Sequence, residues 1–295
     1  MQEHVEFHDV SLKIGRDTIL EDINLTLEGG KTYGLLGRNG AGKTSLLSLL
    51  AAFRPASTGA IRLNGEKIFE NPSAMQQICF SYDKDYSEET EKVKSLLKNL
   101  EFYRSHFDHE YADRLVERFN LPLNKAVSKL STGMQSAFNV TIGLASRCPV
   151  TIFDESYLGM DAPTRDIFYQ EILREQSEHP RIFILSTHLV SEMDHLFDDV
   201  IMIQNGRAVL HDDYETLMTK AFYVTGDGDA VERFSKPYRV LDRQQLGGTT
   251  SALIYTDAVD TPQKEAHEQG LDVHHVTLQD LFIHLTKEVT QDANS

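Results

Sequence analysis

Eight residues, Gly37-Arg38-Asn39-Gly40-Ala41-Gly42-Lys43-Thr44, follow the spacing G-x-x-x-x-G-K-[ST], and Ser45 continues them. Glycines at these intervals let the backbone curl so that successive N–H groups point inward at an anion. A helix starting at the end of the run adds its positive N-terminal end to that field. Lys43 then reaches the terminal phosphates of a nucleotide, and the Thr44 hydroxyl supplies an oxygen for magnesium. A second set suits the same chemistry: Val150-Thr151-Ile152-Phe153-Asp154-Glu155 is an apolar run closed by two carboxylates. Asp154 is expected to hold magnesium, directly or through water, and Glu155 to polarise the water that attacks the γ-phosphate. Phosphoryl transfer needs positioning and charge neutralisation rather than covalent help, so one metal ion and one oriented carboxylate suffice. Leu130-Ser131-Thr132-Gly133-Met134-Gln135 is a weaker signal. A Ser hydroxyl, a glycine backbone and a helix N-terminus make a further anion-binding surface, although Ser131 also reads as a plain N-cap.

These residues need elements to hold them. Val5, Phe7, Val10 and Leu12, then Ile19, Ile23, Leu25 and Leu27, predict strands over 5–12 and 19–27 with a turn at Gly15-Arg16-Asp17. Thr32–Leu36 is a short apolar strand leading into the glycine loop, and 45–53 predict a helix that ends before Pro55. Residues 87–120 are helical in pattern, with Val93, Leu96, Leu97 and Leu100 on one face, and another helix is expected from near Ser131. The runs 150–153, 181–185 and 200–203 look like strands buried on both faces. Strands alternating with helices predict an α/β domain with a mainly parallel central sheet. Beyond Leu217 the pattern changes to a small α+β accessory unit: strands near 222–224 and 251–255, a helix near 262–269, and a last helix. That helix carries Leu278, Leu281, Phe282 and Leu285 on one face and Thr277 as its cap, and the tail Gln291–Ser295 is expected to fray. The expected division is 1–217, with a helical part at about 85–148, and 218–295.

Composition narrows the class. With 295 residues, 40% hydrophobic and 25% charged, the chain can bury a sizeable core. A formal net charge of -16 and no Lys/Arg run argue against nucleic acid as a partner, because phosphate neutralisation supplies most of such affinity. Cys79 and Cys148 form neither a disulfide framework nor a zinc site and are expected to be buried thiols. No secretory signal and no uninterrupted apolar window of about 18 residues is present. The expectation is a cytoplasmic protein without a membrane span of its own. His106, His109, His179, His195, His274 and His275 lie in polar contexts without metal-ligand spacing and read as surface or capping residues.

Taken in order, these motifs resemble a family. LSTGMQ is similar to the LSGGQ signature of ATP-binding-cassette (ABC) ATPases, and TIFDE to their Walker B strand with its catalytic Glu. Leu158-Gly159-Met160-Asp161 resembles the D-loop, and Ser186-Thr187-His188 the switch histidine. The resemblance covers residues 3 to about 217. It implies a P-loop cassette of mixed β-sheet with a helical subdomain, acting as a head-to-tail homodimer or heterodimer. Two ATP, each with Mg2+, would lie between the phosphate loop of one copy and Ser131, Gly133 and Gln135 of the other. His188 would contact the γ-phosphate and Asp161 would connect the two sites.

Departures from the family pattern stand out. Ile14 takes the place of the aromatic residue that stacks on adenine, and Asp83 that of the Q-loop glutamine, where its oxygen could reach magnesium. Thr132 replaces a signature glycine, and Met134 fills the position after Gly133. Ser156-Tyr157 stands where Pro-Thr is usual, a change from which only packing consequences are expected. The LSxGM form and the ending Val276–Phe282 resemble ATPases of bacterial antibiotic, peptide and lipid-precursor exporters, which work with a separate transmembrane permease. An importer ATPase and a soluble regulatory or resistance ATPase remain as alternatives.

Overall fold

The computed structural model describes residues 3–258 and 261–292. The chain gathers into two compact units. One runs up to His188 and takes in His195–His211; the other combines Leu189–Asp194 with the chain from Asp212 onward.

In the first unit β1 (His4–Ile14) and β2 (Asp17–Glu28) form an antiparallel hairpin whose alternating apolar residues turn inward. β3 (Thr32–Leu36), buried throughout, enters the glycine loop and then α1 (Lys43–Leu50). This helix starts two residues before the expected Ser45 and stops short of Phe53, because Ala52 at φ +57 turns the chain. β4 (Thr58–Leu63) and β5 (Glu66–Lys67) complete a sheet in the order β2-β1-β4-β5. α2 (Pro72–Met75) then precedes β6 (Ile78–Tyr82).

The helical pattern expected across 87–120 is interrupted. α3 (Val93–Asn99) tightens into a 3-10 turn at Leu100–Phe102, and α4 (His109–Arg118) begins afresh where the Asp108 carboxylate accepts the Tyr111 amide at 2.8 Å. An aspartate offering this bond favours a helix start over a helix interior. α5 (Thr132–Ala145), β7 (Val150–Asp154), α6 (Ala162–Glu178), β8 (Ile182–Thr187), α7 (Val190–Met193), β9 (Asp199–Gln204) and β10 (Arg207–Asp213) follow. Six strands form the central sheet in the order β10-β9-β3-β8-β7-β6, and β9, β3, β8, β7 and β6 run parallel. β3, β7, β8 and β9 are buried at every position, the physical reason for their unbroken apolar runs. Side chains such as Phe7, Leu27, Leu47, Leu50, Ile152 and Ile184 share one core between the two sheets and α1.

A buried ionic network ties α6 to the helical part. Tyr111 Oη donates to Glu171 Oε2 at 2.7 Å, and Arg118 pairs with the same carboxylate. Arg147 and Arg181 converge on Glu175 Oε2 at 3.0 and 2.8 Å. Burial pulls the Arg181 pKa down, and Glu175 opposes that shift.

In the second unit come α8 (Tyr214–Thr219), β11 (Ala221–Asp227), α9 (Gly228–Ser235), β12 (Arg239–Leu246), β13 (Thr249–Tyr255), α10 (Thr261–Glu268), β14 (Asp272–His275) and α11 (Leu278–Asp292). The sheet is antiparallel in the order β12-β13-β11-β14. From β11 to β14 this is the β-α-β-β-α-β plan of ferredoxin-like domains. Phe222, Val224, Val231, Phe234, Ile254 and Leu271 make its core. α11 is capped as expected, Thr277 Oγ1 accepting the Asp280 amide at 3.1 Å, and it packs on β12 and α7. Of the tail expected to fray, residues 291 and 292 close α11, and 293–295 lie outside the described residues.

Candidate active site

Strand register brings the chemistry-bearing residues together. Leu36 lies beside Thr187, Ser186 beside Asp154, and Asp154 beside Tyr82, so β3, β8, β7 and β6 finish level at their carboxyl ends. The residues leaving those ends are Gly37, His188, Glu155 and Asp83. In open parallel sheets this edge is where ligands bind.

The loop 37–44 departs from β3 with Arg38, Asn39 and Gly40 exposed and Ala41 buried. Gly42, the residue before α1, sits at φ +112, and a Cβ there would lie 2.8 Å from Leu20 Cδ2, so only glycine fits both the turn and the approach of β2. The Ala41 carbonyl accepts the Gly206 amide at 3.0 Å, anchoring the loop on the β9–β10 turn. Lys43 is 7% exposed, and its Nζ donates to the Gly37 carbonyl at 2.6 Å. Burial lowers its pKa, while the charges of Glu155 and Asp154 act in the opposite direction. Ser45 follows on the first turn of α1.

Thr44 Oγ1 donates to Asp154 Oδ2 at 2.7 Å. Asp154 is 6% exposed, and its Oδ1 is buried without a hydrogen-bond partner among the described residues. A hydroxyl and a carboxylate with a spare buried oxygen form a hard donor set that fits magnesium, an ion that takes one or two protein ligands and completes its shell with phosphate oxygens and water. Among the described residues no group of three or more His, Cys, Asp and Glu could hold a metal by itself. Asp83 leaves β6 at the same edge with its side chain exposed, and no hydrogen bond joins it to Thr44 or Asp154 among the described residues.

Glu155 turns the chain at φ +51, with its amide bound to the Ser186 carbonyl at 3.1 Å. Its Oε1 lies 3.1 Å from His188 Nδ1. Both groups are partly open to solvent, with the His188 side chain 45% exposed. The next two residues do more than pack, which corrects the expectation from sequence. Ser156 Oγ donates to the Ser81 carbonyl at 2.9 Å, and the buried Tyr157 hydroxyl meets Thr187 Oγ1 at 2.8 Å. The sequence offered only the replacement of Pro-Thr as a signal at this pair.

The signature residues form a second locus. Ser131 caps α5, accepting the Met134 amide at 3.3 Å, and a Cβ on Gly133 would lie 2.5 Å from the Gly159 carbonyl. Ser136, which the motif reading passed over, donates to the Leu158 carbonyl at 2.5 Å and adds to this close contact. Asp161 caps α6 through the Thr164 amide at 3.0 Å, and hydrogen bonds from Thr164 hold its carboxyl below the usual range. Ser131, Gly133 and Asp161 line one cavity of about 300 Å³. Gln135 does not project as a free ligand, since its Nε2 donates to the Val127 carbonyl at 3.1 Å. Among the described residues no hydrogen bond links Ser131 or Gly133 to Lys43 or Thr44 of the same chain. Ile14 ends β1 with 47% of its surface exposed.

Comparison with known proteins agrees with this geometry. Residues 20–157 match the family model described as ABC transporter. AlbC of Bacillus subtilis, named as a putative ABC transporter ATP-binding protein, is 31% identical over 213 residues, covering 68% of this chain and 88% of AlbC. The chain belongs to the ABC transporter ATP-binding family. As an ABC ATPase it binds and hydrolyses ATP as a subunit of a transporter, and ATPases of this family work with transmembrane subunits. No helix among the described residues is long and apolar enough to cross a membrane. Relatives of this ABC ATPase include proteins named for both directions. The Nod factor export ATP-binding protein I of Rhizobium etli is 23% identical over 307 residues, 96% of this chain and 93% of its own. The ribose import ATP-binding protein RbsA of Streptococcus agalactiae is 26% identical over 232 residues, 74% of this chain and 46% of its own. A solved ATP binding subunit of an ABC transporter matches the fold with a TM-score of 0.64 at 21% identity, covering 78% of this chain and 93% of that one.

Proposed function

We propose that this ABC ATPase powers an exporter whose transmembrane subunits are separate chains, by hydrolysing two Mg-ATP held between two copies of the cassette. The observation that carries the hydrolytic part is the meeting of two pairs at the carboxyl edge of the central sheet. Thr44 and Asp154 lie 2.7 Å apart, and Glu155 and His188 3.1 Å apart. In this reading the loop amides from Gly37 to Ser45 cradle the phosphates, and the Lys43 ammonium moves from the Gly37 carbonyl onto the terminal phosphates. Thr44 and Asp154 hold magnesium, with Asp83 as a candidate third oxygen. Bound there, the ion would neutralise charge on the β- and γ-phosphate oxygens. Glu155 orients the attacking water and accepts its developing proton, and His188 contacts the γ-phosphate. Ile14 packs against the base.

The second half of each site comes from the other copy, a homodimer partner or a second ABC ATPase. The reading assigns Ser131 and Gly133 to its γ-phosphate, with Asp161 beside them and Gln135 setting the loop. The cavity of Ser131, Gly133 and Asp161 takes none of its lining from residues 37–45, which supports this arrangement. Functionally, residues 1–217 form the ATPase domain, with a helical subdomain at about 85–148, and 218–295 an accessory domain. The protein works peripherally on the inner face of the membrane, through its permease.

Export over import is favoured by the extent of the matches, since the Nod factor export relative aligns with 96% of the chain and the ribose import relative with 74%. Transport assays in vesicles carrying the permease, with ATP supplied only on the face bearing this chain, test the direction. Export predicts solute movement away from that face, and accumulation on it would assign the protein to import.

A further inference from the structure

We infer that Tyr157 is a positioning residue for hydrolysis, its phenol oxygen fixing the backbone and ring of His188 against Glu155. The inference rests on the reading of His188 as the γ-phosphate contact. Tyr157 is 2% exposed, and it sits on a turn held at both ends: the Glu155 carbonyl accepts the Leu158 amide, and the Tyr157 carbonyl accepts the Met160 amide, each at 3.1 Å. Ser156, hydrogen-bonded to the Ser81 carbonyl, pins this turn to β6. The phenol therefore enters under the end of β8 from a rigid base.

Its oxygen meets Thr187 and His188. Thr187 Oγ1 is 2.8 Å away, the His188 amide donates to it at 3.4 Å, and His188 Nδ1 lies 3.5 Å away. The rings of Tyr157 and His188 are 6.2 Å apart, centre to centre, at 45°. A carboxylate can only accept, so the Glu155–His188 contact places the proton on Nδ1 and leaves Nε2 directed to substrate. A side chain as exposed as His188 would otherwise sample several rotamers. The buried hydroxyl fixes the backbone by accepting the residue's amide, and its approach to Nδ1 together with the neighbouring ring limits the imidazole's swing. Small misplacements at a reacting centre cost rate steeply, so the hydroxyl should act on turnover rather than on ATP affinity.

Steady-state Mg-ATPase assays of the full chain test this with Tyr157→Phe, which keeps the ring. The expected result is a kcat reduced by about tenfold to a hundredfold with KM for ATP nearly unchanged. Tyr157→Phe with Thr187→Val removes both partners of the buried bond, which should recover part of any loss in the denaturation midpoint and leave kcat low. His188→Ala should be similarly slow, and adding Tyr157→Phe to it should slow it no further. Recovery of wild-type kcat together with stability in the Tyr157→Phe/Thr187→Val chain would make the tyrosine merely structural and overturn the inference. A slow His188→Ala beside a wild-type Tyr157→Phe would overturn the positioning role alone. If His188→Ala hydrolyses ATP at the wild-type rate, the reading of the histidine falls, and this inference with it.

Discussion

Glu155 holds a left-handed backbone at φ +51, where a non-glycine residue costs about 1–3 kcal/mol. Fold stability alone would place glycine there. Glu155→Gly is accordingly expected to raise stability by about 1 kcal/mol while abolishing turnover. A lower denaturation midpoint would show that the carboxylate supports the fold. At Asp83, a role as magnesium ligand predicts that Asp83→Ala raises the magnesium concentration needed for half-maximal turnover. An unchanged magnesium dependence would remove this residue from the set. Lys43, Thr44, Asp154 and Glu155 could be singled out as candidates from sequence because their spacing is local and the chemistry demands those atom types. The Tyr157–Thr187 contact was not, because it spans 30 positions and exists only through the register of β7 on β8.

Among the elements, the parallel strands do the placing. Level carboxyl ends on β3, β8, β7 and β6 put four loops side by side without any long-range motif in the sequence. Doubly buried strands read clearly as apolar runs. β10 and β12 did not, since β10 alternates exposed with half-buried residues and β12 is largely polar, so neither carries the composition of a buried strand. The helical stretch misread as continuous contained its own correction in Asp108, an N-cap residue before His109 and Glu110. α6 holds the helical part to the sheet through Glu171 and Glu175, both 1% exposed. Glu175→Ala leaves Arg181, 4% exposed, without its carboxylate and should cost about 3–5 kcal/mol. Chemical denaturation of the full chain, following the transition of the first unit, measures this. A loss below about 1 kcal/mol would mean that water already satisfies the guanidinium.

For the whole molecule, the path of the chain matters as much as its division into units. It leaves the first unit immediately after His188, contributes Leu189–Asp194 to the second, and returns at His195. The residue proposed to sense the γ-phosphate is thus covalently joined to a segment that packs with α11. Removal of residues 218–295 strips that segment of its partner α11 and is expected to slow hydrolysis more than it weakens ATP binding. Equal kcat and KM in the truncated and full chains would separate the accessory domain from the catalytic cycle. The sequence suggested a change of pattern after Leu217, whereas the later unit takes up the chain at Asp212 and also holds 189–194, which sequence did not show because six residues with one short helix carry no signal of their partner.

The central claim is hydrolysis between two cassettes, and Glu155→Gln tests it most directly. The amide keeps the shape of the side chain and removes its ability to take a proton from water. Light scattering after size exclusion, with saturating Mg-ATP, should find this variant as a stable dimer that retains ATP, and as a monomer once nucleotide is removed. A variant that binds ATP to saturation and stays monomeric would contradict the shared-site account.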